Sequence, residues 1–576
     1  MCSVFIAILN DTYDRLVLEM SKMKKAVSLR QAFKALESGF ANWPKKLTTV
    51  VICGIILVFA ITPVAAESQQ VTDWNNSLAV IDAQIQDMGT SPPQFVSGQS
   101  AASIVPGVTN DLLEQKRQIL ASAGFDSFAG NNYYNNFYSF TSMPGFTNTQ
   151  VGIVETDQPL RLIRRGNHQA VDEITRGYLG AWWSDKYYST QDARNKLAIL
   201  AEWGSDLQDI YVISVPAETL LIGGLTSPMA QGSEYRGGGA YQYWKRSNQS
   251  ENTMEWLVYA LYEPNYLSSY SGAITGAQKL SRGVIDDLSI HMDGLRNAPV
   301  VKGNAGSNVW ISTFIDDTAY NVLGSEFHGQ TKGMQLGWEK LVKGGATREK
   351  DKMYFGLVAG HGVTSQNNRS SGVKNEIKGN YGGIYSVFRM PATKNHAGYI
   401  NAAVLLGELS FSNNVPGYYG YGLQQQYSGQ LVVTSLEHGV TFMQHNGLTL
   451  EPQVQLLYTH VSHGKFTDHV GADVSLKKGD SLQGRIGLEL RNTVSGKSGQ
   501  LTTTWLGANY IHEFKDKNMV NVSGELNLSS MGRNMYEINL GIKSNLSRNL
   551  NLQGQISKLF GDERGYQGAL SLSAYW

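Results

Sequence analysis

The chain has almost no cysteine. Of its 576 residues only Cys2 and Cys53 carry a thiol, and both fall in a segment read below as a removed leader. The exported product therefore has neither disulfide nor thiol chemistry, which excludes a cysteine enzyme and a zinc ribbon. An excess of charge is missing too: 48 basic and 48 acidic side chains cancel, which argues against a nucleic-acid binder or a polybasic membrane-surface protein. Proline is scarce at 14 residues and no long low-complexity tract occurs, whereas Gly at 61 and Tyr at 29 are plentiful. This Gly/aromatic-rich chain folds, and its length allows more than one domain. No HExxH, paired cysteine or clustered aspartate appears, so no metal is expected.

Long apolar runs are absent with one exception. Thr49 to Thr62 (TVVICGIILVFAIT) is uncharged, follows Lys45 and Lys46, and precedes Val64-Ala65-Ala66, whose small residues suit a signal peptidase. A run of this length reaches about 21 Å as a helix, short of a ~30 Å hydrocarbon core. Residues 1–66 are read as an extended signal peptide for the Sec translocon, cleaved after Ala66, with Met20 or Met23 as alternative starts.

From about Asn308 to Trp576 strict alternation replaces apolar runs. In Leu448 to Tyr458 the even positions are apolar, while Thr449, Glu451, Gln453 and Gln455 are polar. The same period recurs in Leu482 to Leu490, with Gln483, Arg485 and Glu489 inward, and in Tyr536 to Ile542, with Glu537, Asn539 and Lys543 inward. A soluble sandwich also alternates. Recurrence over some 270 residues, segments of about ten residues and aromatic residues at segment ends favour a membrane barrel. Twelve strands are expected, with Met519 to Leu528 left in a long external loop because single-chain barrels favour even numbers.

The segments LEPQVQLLYTHV, DSLQGRIGLELR, GANYIHEF, MYEINLGIKSNLSRNLNLQGQISKLF and LSLSAYW resemble the translocator barrel of type V autotransporters of the pertactin and AIDA-like group. The resemblance implies an outer-membrane pore with both chain ends on the periplasmic side. It also implies insertion into outer-membrane lipid by the barrel-assembly machinery, which reads the terminal strand and Trp576. Ala277 to Leu295 reads as a helix with Leu280, Val284, Leu288, His291, Met292 and Leu295 on one stripe. It resembles the helix that plugs such barrels, with Asn308 to Ile311 opening the first strand. Some relatives cut this helix at an Asn-Asn pair. Here Asp286 and Asp287 stand at the corresponding place, which does not suit the Asn mechanism; a buried acidic pair with a raised pKa is the alternative that could assist a slower linker cleavage, and an uncut, anchored passenger is expected.

The expected fold is thus a plugged twelve-stranded β-barrel plus a small α+β passenger. Its domains are 67–157 (helical and linker segment), 158–262 (passenger domain), 263–306 (linker and plug) and 307–576 (barrel). Within the passenger, Leu160 to Gly166 reads as a strand, Ser189 or Thr190 as a helix cap, and Asp209 to Pro216 as a buried strand. This order resembles the mono-ADP-ribosyltransferase fold of cholera and pertussis toxin type. In that resemblance LIRRGNHQAVDEI supplies Arg164 and Asp172-Glu173-Ile174, and AWWSDKYYS supplies Ser184. It implies NAD as substrate, Arg164 on its phosphates, Trp183 against nicotinamide, and Ser184 supporting a carboxylate. The family's late acidic motif is absent: Gln242-Tyr243-Trp244 stands there, with Glu234 as a substitute from the loop. The bland readings are surface charges for Arg164 and Arg165, core for Trp182 and Trp183, and an unusual turn for Gly237 to Gly239.

The competing function is a non-catalytic adhesin that presents Asn131 to Tyr138 (NNYYNNFY) to a host or neighbouring-cell surface molecule; the enzyme reading needs a protein acceptor or water instead. Gly479-Asp480-Ser481-Leu482 spells a lipase signature, but Ser481 begins an expected barrel strand, so that activity is rejected.

Overall fold

The computed structural model describes residues 69–87, 95–96, 115, 118–125 and, apart from short intervals, 146–575. The leader, Asp172 to Ile174, Asn131 to Tyr138 and Trp576 lie outside the described residues.

The N-terminal domain is built on small sheets. Helix α1 (Gln69–Asp87) packs against β2 (Phe146–Glu155), where Asn75 Oδ1 accepts from the Ile153 amide at 2.7 Å. β1 (Phe95–Val96) joins β7 (Met229–Gln231) and β8 (Glu234–Arg236). A second sheet orders β2, β6 (Leu220–Thr226), β9 (Tyr241–Trp244) and β4 (Trp182–Trp183); a third orders β10 (Leu257–Tyr262), β5 (Asp209–Val215) and β3 (Leu160–Gly166). The last two sheets meet at a bridge between Ile163 and Ser184. The core reaches further back than the sequence suggests, since Val71 and Leu78 of α1 are buried with Ile153, Ile222 and Trp244. Helix α2 (Thr190–Lys196) is capped by Ser189, whose hydroxyl accepts from the Asp192 amide at 3.1 Å, and it ends at Lys196, so that of the apolar positions Ala193, Leu197, Leu200 and Trp203 that read from the sequence as its face only Ala193 lies within it. Gly238 and Gly239 take φ of 65° and 89°, the left-handed turn that glycine permits.

Helix α3 (Glu263–Arg296) follows β10 without a break. It starts fourteen residues before the expected Ala277, counting from Glu263. Its first turns carry Tyr, Ser and Gly rather than an apolar stripe. Pro264 suits its first turn, while Glu263 at its start and Arg296 at its end complement the helix dipole. At 34 residues it is about 51 Å long, enough to pass a ~30 Å membrane core and project beyond it.

Around α3 twelve antiparallel strands close a barrel: β11 (Ser307–Val322), β12 (Ser325–Lys343), β13 (Lys352–Asn368), β14 (Lys374–Arg389), β15 (His396–Val415), β16 (Leu423–Met443), β17 (Leu448–Ser462), β20 (Asp480–Ser495), β21 (Leu501–Glu513), β24 (Asn534–Asn545), β25 (Leu550–Gly561) and β26 (Glu563–Tyr575), which pairs back to β11. The alternation works as read: Val454, Leu456, Ile486, Leu488, Ile538 and Leu540 face outward as an apolar belt. Gln453, Gln455, Gln483, Glu489, Glu537 and Asn539 are buried inside. The connections at the end holding the chain terminus are short, and the two longest loops lie at the other end, which is therefore extracellular. Those loops contain β18 (Phe466–Thr467), β19 (Asp473–Lys478), β22 (Asn518–Val522) and β23 (Glu525–Ser529), a separate four-stranded sheet. Met519 to Leu528 is thus outside the barrel, as two short strands rather than an open loop.

Inside the wall, six aromatic residues face glycine across the strand ladder. The register sets Trp310 opposite Gly337, Phe314 opposite Gly333, Tyr381 opposite Gly360, Tyr385 opposite Gly356, Tyr399 opposite Gly439 and Trp505 opposite Gly541. A Cβ added at any of these glycines would overlap the facing ring.

Candidate functional site

Two regions hold chemistry: the lumen around α3, and the mouth where the N-terminal domain meets the loops. In the lumen, the apolar stripe of α3 lies against the wall, while its polar face is held by charge. Arg282 donates to both Glu563 oxygens at 2.8 and 2.7 Å and reaches Asp316 at 3.4 Å. Lys279 pairs with Glu563 as well and donates to Thr318 Oγ1 at 2.6 Å. About two and a half turns lower than Arg282, His291 stacks on Trp310 with centroids 4.0 Å apart, and its Nε2 lies 3.0 Å from Glu339. Near the periplasmic end Arg491 pairs with Asp293 at 2.7 Å and Arg296 with Glu451 at 3.1 Å. Ions removed from water must be paired and hydrogen-bonded in this way, because an unpaired buried charge costs several kcal/mol.

Asp286 and Asp287 sit about two-thirds of the way along α3, and both border one cavity of the lumen. Asp287 Oδ2 accepts from Ser312 Oγ and, at 2.7 Å, from Gln335 Nε2. Asp286 lines that cavity with Arg485, Glu537 and Asn539.

At the mouth a buried cluster ties the domain to the helix. The Arg165 guanidinium forms an ion pair with Glu263, the first residue of α3, and donates to Thr190 Oγ1 at 2.9 Å. Thr190 Oγ1 donates in turn to Glu263 at 3.1 Å, and the Tyr187 hydroxyl donates to the same carboxylate. Burial raises the Tyr187 phenol well above its ordinary value, so it stays a donor. Tyr266 and Tyr270 both donate to Asp468 of the β18–β19 loop, Tyr270 at 2.6 Å, while Asp468 Oδ1 accepts three amides from Val470 to Ala472. From the β15–β16 loop, the Tyr418 hydroxyl donates to Asp209 at 2.8 Å, and the Tyr421 carbonyl accepts from the Ala260 amide at 2.9 Å. Burial, with the Asp209 carboxylate adding to it, pushes the Tyr418 phenol up. The third sheet of the N-terminal domain is therefore bound to the extracellular loops through side chains and backbone alike. Neither Arg165 nor Glu263 stood out in the sequence: Arg165 read as a surface charge, but it is 6% exposed.

The residues expected around NAD are arranged as follows. Arg164, Ser184 and Gln242 fall on β3, the end of β4 and β9, which neighbour one another. Arg164 donates to the Leu179 carbonyl. Ser184 Oγ donates to the carbonyls of Ile163 at 3.1 Å and Lys186 at 2.9 Å. Gln242 is buried and accepts from Thr226 Oγ1 at 3.2 Å. Trp183 is 1% exposed within the core of Leu162, Leu179 and Tyr211, so its ring serves packing and has no face open to nicotinamide. Glu234 lies in β8, and its side chain is outside the described residues. Ser481 is the second residue of β20 and donates to Glu513 at 2.5 Å, as a barrel residue.

A closed antiparallel barrel with an apolar outer belt, a polar interior and a helix through its lumen is an outer-membrane β-barrel of the plugged class. Residues 309–557 match the family model of the autotransporter beta-domain, and the C-terminal half is an autotransporter translocator located in the outer membrane. The chain is similar to the pertactin autotransporter of Bordetella bronchiseptica, at 25% identity over 278 residues, 48% of this chain and 29% of that protein. It is also similar to the BrkA autotransporter of Bordetella pertussis, at 20% identity over 254 residues, 44% of this chain and 24% of that protein. Among solved structures, the translocator domain of autotransporter NalP from Neisseria meningitidis aligns with a TM-score of 0.43 at 15% identity, covering 54% of this chain and 99% of that domain. The chain spans less than a third of the length of the curated relatives it matches.

Proposed function

We propose that this chain is a self-displaying outer-membrane protein. The leader delivers it to the Sec translocon, the barrel-assembly machinery inserts the barrel, and the barrel carries the N-terminal domain outward. That domain then stays attached, uncut, as a cap on the mouth. The observation that carries this reading is the unbroken run from β10 into α3, closed by the Arg165 and Glu263 ion pair at the point where the helix leaves the lumen. On intact cells, a membrane-impermeant amine label should mark one full-length species in the outer-membrane fraction. An N-terminal domain free in the medium, or a shortened membrane species beginning near Asp287, would overturn it.

A second reading, cleavage of NAD by the displayed domain, rests on the sequence resemblance alone: Arg164, Ser184 and Gln242 fall on neighbouring strands, but Arg164 alternates to the face opposite Ser184 and each side chain bonds within the domain. Full-length protein in detergent, incubated with NAD, should then release nicotinamide, and Arg164→Ala should abolish the release. Turnover absent from the wild type, or unchanged in the variant, leaves display for adhesion to a neighbouring surface as the role of the domain.

A further inference from the structure

The outer wall of the barrel changes from apolar to polar at one level on four successive strands. Outward positions step from Ala359 to His361 on β13, Gly382 to Asn380 on β14, Leu406 to Glu408 on β15 and Val432 to Gln430 on β16. The ladder sets His361 opposite Asn380, Asn380 opposite Glu408 and Glu408 opposite Gln430, so these side chains form one continuous row. One step higher, Lys378 faces Ser410 and Ser410 faces Ser428. Between the two rows the wall is hollowed into a groove of roughly 880 Å³, lined by His361, Lys378, Asn380, Glu408, Ser428 and Gln430. The hollow has a structural cause. Pairing of β16 with β17 ends at Gln430 opposite Ser462, and beyond it small residues, Ser410, Ser428, Gly429 and Gly464, line the groove together with Lys378 and His463.

This level lies directly above the apolar belt, at the end that carries the long extracellular loops, and therefore in the headgroup layer of the outer leaflet. The groove is amphoteric. Lys378 lies 2.8 Å from Glu376, and His361 Nδ1 lies 2.7 Å from Asn380 Oδ1, so donors and acceptors alternate along it. Lys332 faces Val363, which faces Lys378, so a second ammonium stands two strands away, about 10 Å at the usual strand spacing. We propose that the groove is a binding site for an outer-leaflet glycolipid headgroup. Asn380, Glu408 and Gln430 bind sugar hydroxyls, and Lys378, with Lys332 beyond it, receives a phosphate.

The test is native mass spectrometry of the full-length protein in mild detergent, titrated with a phosphorylated diglucosamine lipid and, separately, with phosphatidylglycerol. One glycolipid should be retained. Its affinity should fall roughly tenfold in Lys378→Glu, the loss of one charge-assisted hydrogen bond, and in Gln430→Leu by less. Lys340→Glu, an outward charge at the periplasmic end of β12, should leave it unchanged, and heat-modifiable gel mobility should show all barrels folded. Retention equal across the variants, or equal displacement by phosphatidylglycerol, would mean annular lipid only and overturn the proposal.

Discussion

Replacing Glu563 by alanine asks whether the helix is locked in the lumen or merely resides there. The Glu563 carboxylate serves two cations of the helix at once, Lys279 and Arg282, and both are buried. Its removal leaves Lys279 with the Thr318 hydroxyl and Arg282 with Asp316 at 3.4 Å. Breaking a buried pair from one side costs about 3–5 kcal/mol. The surviving Asp316 contact argues for the lower end, about 3 kcal/mol, or roughly a hundredfold in the equilibrium between seated and displaced helix. The assay is ion conductance of the full-length protein in planar bilayers, where openings should become more frequent by about that factor. A quadruple variant that also carries Lys279→Met, Arg282→Met and Asp316→Asn removes every charge of the cluster, the otherwise stranded Asp316 included, and should close most of the difference, because replacing a whole buried ion cluster with uncharged groups is near neutral. Openings equally rare in Glu563→Ala and wild type, with barrels equally folded, would refute the idea that this charge cluster seats the helix.

At the mouth, Arg165→Ala and Glu263→Gln should each make the displayed domain sensitive to protease on intact cells, and the double variant should be no worse than either alone, since they break one ion pair; additive effects would refute their coupling. Ile486→Arg puts a cation on the lipid face and should destabilise the folded barrel by about 2–4 kcal/mol in urea titrations in lipid if this position lies at mid-belt, and far less if it lies at the headgroups. Leu78→Ala should cost about 2–5 kcal/mol in thermal unfolding of the displayed domain; no change would mean that α1 is not part of its core.

The barrel was legible in the sequence because a membrane imposes a strict rule on each strand, so that every second residue from Leu448 to Tyr458 or Tyr536 to Ile542 announces its face. The plug was half legible. Leu280 to Leu295 carries an apolar stripe because that part of α3 lies against the wall, whereas Tyr266, Tyr270 and Ser271 answer to Asp468 and Asn527 of the outer loops, and such long-range polar partners leave no period behind. The same holds at the mouth. Arg165 looks like a strand-end charge until Glu263 is brought beside it, and nothing local links two residues so far apart. Trp183 was ambiguous between platform and core, and only its burial between the sheets decides for core.

The six ring-and-glycine pairs of the inner wall bear on how a pore of this size can hold a helix at all. A helix with its side chains is about 10–12 Å across, and rings standing upright from the wall would fill that space. Laid flat over a neighbouring glycine, each ring becomes wall instead of obstacle. The glycines that make the composition look loose are in this setting sockets, and the clearance of the bore depends on them. Widening or narrowing this conduit by mutation would require changing socket and ring together, one strand apart, because either alone leaves a collision or a hole.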